Sequence, residues 1–486
     1  GKHQSQWRTP HSLFLSLCVS LCVSLSVCVC VCVSRMRGAA CHRRGANRTL
    51  HSRSTAQRRL GDPRSLYARV LRLYRDPTAQ QAHELASQPS RHTFQSLKLQ
   101  TAYDTFDPGA KNLKLPFMKR RTQVVELMCV EGIVVALTAS GVCGAFDRDT
   151  NRRLCVLNVD EDEVVRSLFV NRASRSIIVV SVFLRDEYKT LKCRSILLDY
   201  IRRGKPEMGF ELFESESLRW PGFVEFDDVN HQVLTFCSRK KQYGVWDLKN
   251  YDLLYMLPTL DIAEIKISPG IMLLIHERQV ERTHLMLSVV DISTGKVIST
   301  FTFLIHRNKK IEFIEQFNEK LLVKQEGADL NIFDIKTRKL VTVPNERFPP
   351  PNAFIFLYED QRFLTFVNTT VYVWDFDGKR VAEFEDHQLF FPDCSTSGMF
   401  ISNDQKVLIS YCRDSSGVRG MSPFPSGTLN FSRILDGKSL YKISREGLTS
   451  PLTKQALKSV TSVCFDEERG ELYTGTEDGY VEVWFA

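Results

Sequence analysis

Two arginines stand side by side at Arg202-Arg203, inside the run Ile-Arg-Arg-Gly. Adjacent guanidinium groups present planar forks of donors that match phosphate oxygens. The chemistry they offer is recognition of a phosphate-bearing anion. The plain alternative is a charged loop. A second cluster, Asp160-Glu161-Asp162-Glu163, places four carboxylates in a row. A hard cation needs oxygen ligands at spaced, convergent positions. No complementary ligand spacing follows this run, so it reads as a solvated turn. The dipeptide Asp386-His387 reads as a loop rather than as an acid–base pair. No nucleophile elbow, zinc-protease helix, phosphate-binding loop or dinucleotide fingerprint occurs. The expectation is therefore a protein that is not an enzyme, with no catalytic, cofactor or metal residues.

Cysteine usage points the same way. Five of the 14 Cys fall in one low-complexity tract, at positions 18, 22, 28, 30 and 32. The other nine are scattered, with no CxxC pair among them. Several sit in apolar runs, as buried free thiols do. That pattern suits a reducing compartment, and the expected location is intracellular, cytoplasmic or nuclear.

Charge divides the chain. The first 120 residues hold 20 Lys/Arg and 5 Asp/Glu, a surplus of 15, against a net charge of +9 for the whole. The remainder is therefore mildly acidic. Residues 1–35 contain Leu15–Ser34, built from Leu, Ser, Cys and Val alone. Its paired alternation is what a dinucleotide repeat yields on translation, and the first Met, Met36, follows it. The tract is read as translated repeat DNA, with a signal or anchor segment as the alternative. Residues 36–110 are read as a basic arm. It is Arg-rich and acid-poor at 36–64, in the manner of a disordered segment or an organelle transit peptide. "SLYARVLRLYR" then places Leu66, Val70 and Tyr74 on one helical face, before Asp76-Pro77 stops the helix.

From 111 to 486 short β-rich runs replace helical periodicity. One pattern returns: a strand ending in a large apolar residue and Asp, a short turn, then another strand. It occurs with Asp147, Asp199, Trp246-Asp247, Asp291, Asp334 and Trp374-Asp375. A weaker copy has Arg433 in the Asp position, and the last ends at Trp484. A period in the low forties, stretched where loops are inserted, marks β-propeller blades. One four-stranded sheet cannot bury both faces alone, so the units must pack radially.

These residues resemble the WD40-repeat, transducin-like family. The Trp-Asp pairs at 246–247 and 374–375 carry the resemblance most directly. The final unit, "VTSVCFDEERGELYTGTEDGYVEVW", matches over its length, with its tight turn at Asp478-Gly479 and Trp484 in the third strand. An Asp-Gly hairpin turn supplies the positive φ that such turns need. The resemblance implies an all-β propeller of eight blades, seven being the alternative. Its last blade would close with a strand from 94–100 or 113–119. The family's Gly-His dipeptide is missing, so its Asp–His–Ser/Thr–Trp network would be incomplete and apolar packing would hold the blades. The resemblance also implies a scaffold that assembles partner proteins, the chain itself being monomeric within a complex. The run Ile201–Gly204 is similar to the paired-Arg phosphoinositide motif of one WD40-like group, which makes Arg202 and Arg203 the alternative site for lipid or RNA.

Overall fold

The computed structural model describes residues 94–486 apart from loops, chiefly 218–223, 238–241, 277–283, 385–397, 413–426 and 445–450, together with Ala39–Cys41. The Leu15–Ser34 tract, the helix expected at 65–75 and the Asp386-His387 dipeptide lie outside the described residues.

Eight antiparallel sheets follow one another around a ring. Blades one to eight occupy 124–156, 163–217, 224–258, 262–304, 311–343, 353–384, 399–444 and 460–485. Within these ranges each blade runs outward in sequence order, strand beside strand. In blade one these strands are Val124–Val130, Ile133–Thr138, Cys143–Asp147 and Arg152–Val156.

The sequence explains why the sheets stack. Second strands such as Ile133–Thr138 and Val407–Cys412 are buried at every position. A strand covered on both faces reads as a continuous apolar run rather than as an alternation. Neighbouring blades supply both covers. Ile133 and Val135 meet Ile177 and Ile196 between blades one and two. Phe317 and Leu322 meet Phe356 and Trp374 between blades five and six. Similar clusters fill the interfaces two–three, three–four, four–five and six–seven. One continuous cluster joins blades seven, eight and one, through Phe431, Tyr473, Trp484 and Val124.

Blade eight contributes three strands of its own, Val460–Asp466, Glu471–Thr476 and Tyr480–Phe485. Its fourth and outermost strand is Lys98–Asp104, paired antiparallel from Lys98–Phe485 to Asp104–Tyr480. This closing strand begins within the expected 94–100 segment. The other expected closer does not serve, since Pro116 starts a single 3-10 turn, Pro116–Lys119. The strand precedes residue 111, so part of the segment read as an arm is built into the ring. Ala39–Cys41 adds a short strand beside Phe210–Ser217 at the rim of blade two.

Candidate functional site

The repeated Asp residues build turns. Asp291 accepts from the backbone N–H of Ser293 (3.0 Å) and Thr294 (2.9 Å) and from both hydroxyls. Asp334 accepts from the N–H groups of Lys336 and Thr337, and Asp375 from those of Asp377 and Lys379. Asp147 accepts from Thr150, and Asp247 from Lys249. These donors hold the carboxyls of Asp147 and Asp291 below the usual carboxylate range, their hydroxyl partners first. In blade seven, where Arg433 replaces Asp, Asp436 takes over by accepting from Lys438 N–H and pairing with Arg433. Asp199 departs from the pattern: it lies in the first turn of a short helix, Leu198–Arg202. Asp478 begins the last hairpin, with Gly479 at φ 77°.

A signal not used in the sequence lies four residues past the Asp position. Asn151, Tyr251, Gly295, Arg338 and Gly437 all adopt positive φ there. The N–H groups of Tyr251, Gly295, Arg338 and Gly437 bond back to the carbonyls of Asp247, Asp291, Asp334 and Arg433. A register shift accompanies this in the hairpins of Asp247, Asp291 and Arg433, as in a three-residue loop closed by a bulge. Gly295 also has no room for a side chain, since an added Cβ would lie 2.4 Å from the Tyr255 ring of blade three.

The Trp residues do more than fill space. The indole Nε1 of Trp246 donates to Thr235 Oγ1 at 2.8 Å, that of Trp374 to Thr365 Oγ1 at 2.9 Å, and that of Trp484 to Thr474 Oγ1 at 2.9 Å. A cross-strand Trp–Thr bond is thus repeated in three blades, beside the apolar packing expected to hold them in the main. Thr474 also donates to Glu482 Oε2. Burial pushes that carboxyl up to about 7.

The acidic run forms an exposed turn at Asp160–Asp162, as expected, and only its last carboxylate, Glu163, is taken into the interior. Asp160 and Asp162 grip Arg185, and Glu161 pairs with Lys114. Glu163 is buried, accepting from Val159 N–H at 2.6 Å and Ser181 Oγ at 2.7 Å. Arg202 donates to the Glu131 carbonyl and lies 3.6 Å from the carboxylates of both Glu131 and Asp199. Arg203, the helix C-cap, is exposed. Arg202 is thus committed to Glu131, in the turn between the first two strands of blade one, and is not free to act with Arg203 as one fork. Among the described residues no group of three His, Cys, Asp or Glu side chains could hold a metal ion.

The surface that differs from the rest is the outermost strand of blade four, Val297–Leu304. Its eight residues, VISTFTFL, are exposed or half-exposed throughout and carry no charge and no proline. Nothing among the described residues pairs with its outer side. At its C-terminal end lies a cleft of about 230 Å³ between blades four and five, lined by Phe303, Leu304, His306, Gln325, Asn331 and Thr342 among others. Gln325 shapes its wall: its side chain accepts from His306 N–H (2.8 Å) and donates to the carbonyls of His306 and Lys309. Leu304 is 69% exposed and Ile298 59%. The uncharged run was visible in the sequence, but its place at a rim follows only from strand order.

Comparison with known proteins adds a family and little else. No curated protein matches. Among solved structures, the chain is similar to the computationally designed Ika8 protein, at 18% identity and a TM-score of 0.45, covering 76% of this chain and 97% of that one. It is also similar to BamB from Moraxella catarrhalis, at 12% identity and a TM-score of 0.39, covering 80% and 98%. The family model described as a domain of unknown function, DUF7899, matches residues 82–484. Matched over most of its length, this eight-bladed propeller belongs to the DUF7899 family.

Proposed function

We propose that the protein is a non-enzymatic interaction platform that holds an extended segment of a partner protein along the rim of blade four. One observation carries this reading: the open, uncharged edge of Val297–Leu304. Natural sheets blunt their edges with charge, proline or short strands. The other rims do so here. Outer strands of blades one, six, seven and eight contain charged residues, that of blade three ends in Pro258, and those of blades two and five have three and four residues. Blade four alone combines length with neutrality. An added strand would gain main-chain hydrogen bonds along this edge, and the adjoining cleft would accept one of its side chains. The three Trp–Thr bonds support a kinship of these blades with WD40 repeats, whose loops and rims present contacts in the same manner.

The test is capture of partners by the full chain and by Thr300→Lys and Thr302→Pro, with binding followed by calorimetry for each partner identified. Thr300→Lys should weaken a rim-bound partner at least tenfold and leave Tm unchanged. Equal binding by both variants at unchanged stability would remove the proposal.

A further inference from the structure

Two thiols meet where the ring closes. Cys129 lies on the innermost strand of blade one, Val124–Val130, and Cys464 on that of blade eight, Val460–Asp466. They are 335 positions apart in sequence, yet their Sγ atoms are 3.4 Å apart. Both are free cysteines. The two strands also touch through Thr461, whose hydroxyl donates to the Val124 carbonyl at 2.5 Å. No bonded pair of sulfurs is expected from the scattered spacing of these residues, and only ring closure brings them together.

We infer that Cys129 and Cys464 are an oxidation site, a dithiol that a peroxide converts into a disulfide stapling the first blade to the last. Cys129 is half-buried and Cys464 is buried, so the oxidant reaches Cys129 first. The Cys129 thiolate attacks one oxygen of hydrogen peroxide, the O–O bond breaks, and hydroxide leaves with a sulfenic acid formed on sulfur. The Cys464 sulfur then displaces the sulfenic oxygen, which departs as water once protonated. Two thiols and one peroxide thus give one disulfide and two waters. A bond length near 2.05 Å is reached by drawing the sulfurs together by about 1.4 Å, within the reach of side-chain rotation.

The site is built to react slowly. The hydrogen bond to Cys464, with burial behind it, pushes the Cys129 thiol well up. The thiolate is the reactive form, so oxidation quickens as pH rises. The product matters because it lies at the seam. The chain passes from Lys98–Asp104 in blade eight to Val124 in blade one, but that strand is held to the other three strands of its blade, which come from the far end of the sequence, by non-covalent pairing alone. A cross-link there closes a loop of several hundred residues and restricts the unfolded chain accordingly.

The experiment treats the full chain with hydrogen peroxide at pH 7 and pH 9, then denatures, alkylates and digests it without reductant. The expected result is a cross-linked peptide pair containing Cys129 and Cys464, formed faster at pH 9. Tm should rise by roughly 5 °C, and dithiothreitol should reverse both changes. Cys464→Ser should show neither. Recovery of both cysteines alkylated under conditions that fully oxidise free glutathione would overturn the inference, as would their cross-linking to other cysteines instead. The peptide map of the unsubstituted chain decides the matter even if Cys464→Ser does not fold.

Discussion

Arg148 of blade one and Glu471 of blade eight form a two-pronged ion pair across the seam, Nε to Oε2 at 2.7 Å and Nη2 to Oε1 at 3.0 Å. Their side chains are 7% and 9% exposed. The guanidinium also sits over the Phe485 ring, 4.7 Å from its centre, and donates to Asn151. Glu471 accepts further bonds from Tyr473 and Arg469. Every polar group of the pair is thus engaged, which is what a buried pair requires.

Removing one partner should therefore cost far more than removing both. Glu471→Gln leaves a buried cation without its counter-charge, and a loss of about 3–5 kcal/mol is expected. Arg148→Met combined with Glu471→Leu should recover much of that loss. Urea denaturation of the two variants against the parent measures the difference.

The Trp–Thr bonds make a graded prediction. Thr365→Val leaves the Trp374 indole N–H unsatisfied in a buried site, at a cost of roughly 1–3 kcal/mol. Thr474→Val removes the acceptor of Trp484 and the donor to Glu482 together, so it should cost more. Chemical denaturation orders the two; equal losses would show that the Glu482 contact contributes nothing.

Stability should fall as pH rises from about 5 to 9 on account of Glu126. Burial pushes this carboxyl up to about 8, partly opposed by the N–H of Leu168. In the unfolded chain a glutamate titrates near pH ~4.3. Between these values the folded chain keeps a proton that the unfolded chain has released. The stabilisation is complete below the unfolded value and is lost as pH climbs through the folded one. Glu482, pushed up to about 7, acts in the same sense. Glu126→Gln should show a flatter Tm profile over this range, with its largest gain over the parent at the alkaline end.

Gly295 should not tolerate a side chain. Its φ of 69° costs an L-residue roughly 1–2 kcal/mol. The new Cβ would also press on Tyr255, whose hydroxyl donates to the Ile292 carbonyl at 2.6 Å. Gly295→Ala should lower Tm by several degrees, and Gly270→Ala, with open space around it, by less. Paired thermal melts distinguish them.

The blade count was legible because five blades end their third strand on an apolar residue and Asp, at Asp147, Asp247, Asp291, Asp334 and Asp375, and the other three carry imperfect copies at Asp199, Arg433 and Trp484. Asp436 shows why the seventh unit looked weak: the carboxylate moved three positions along and kept its partner N–H. The positive-φ position four residues past Asp was harder to read, since Asn151, Tyr251 and Arg338 occupy it as well as glycine. A backbone conformation shared by unlike side chains leaves no compositional trace. The burial of Glu163 depends on the neighbouring strand, through Ser181, and the turning of Arg202 onto Glu131 on a contact between blades, 71 positions apart. The exposure of Val297–Leu304 follows from strand order, since its neutral composition alone fits a core strand equally well.

The closing strand sets a waiting time on biosynthesis. Gln100 lies 385 positions before Phe485, against which it rests. A ribosome adding about 5–20 residues per second needs roughly 20–80 s to supply that distance. Throughout this interval the first-made edge lacks the strand it pairs with and is open to foreign strands.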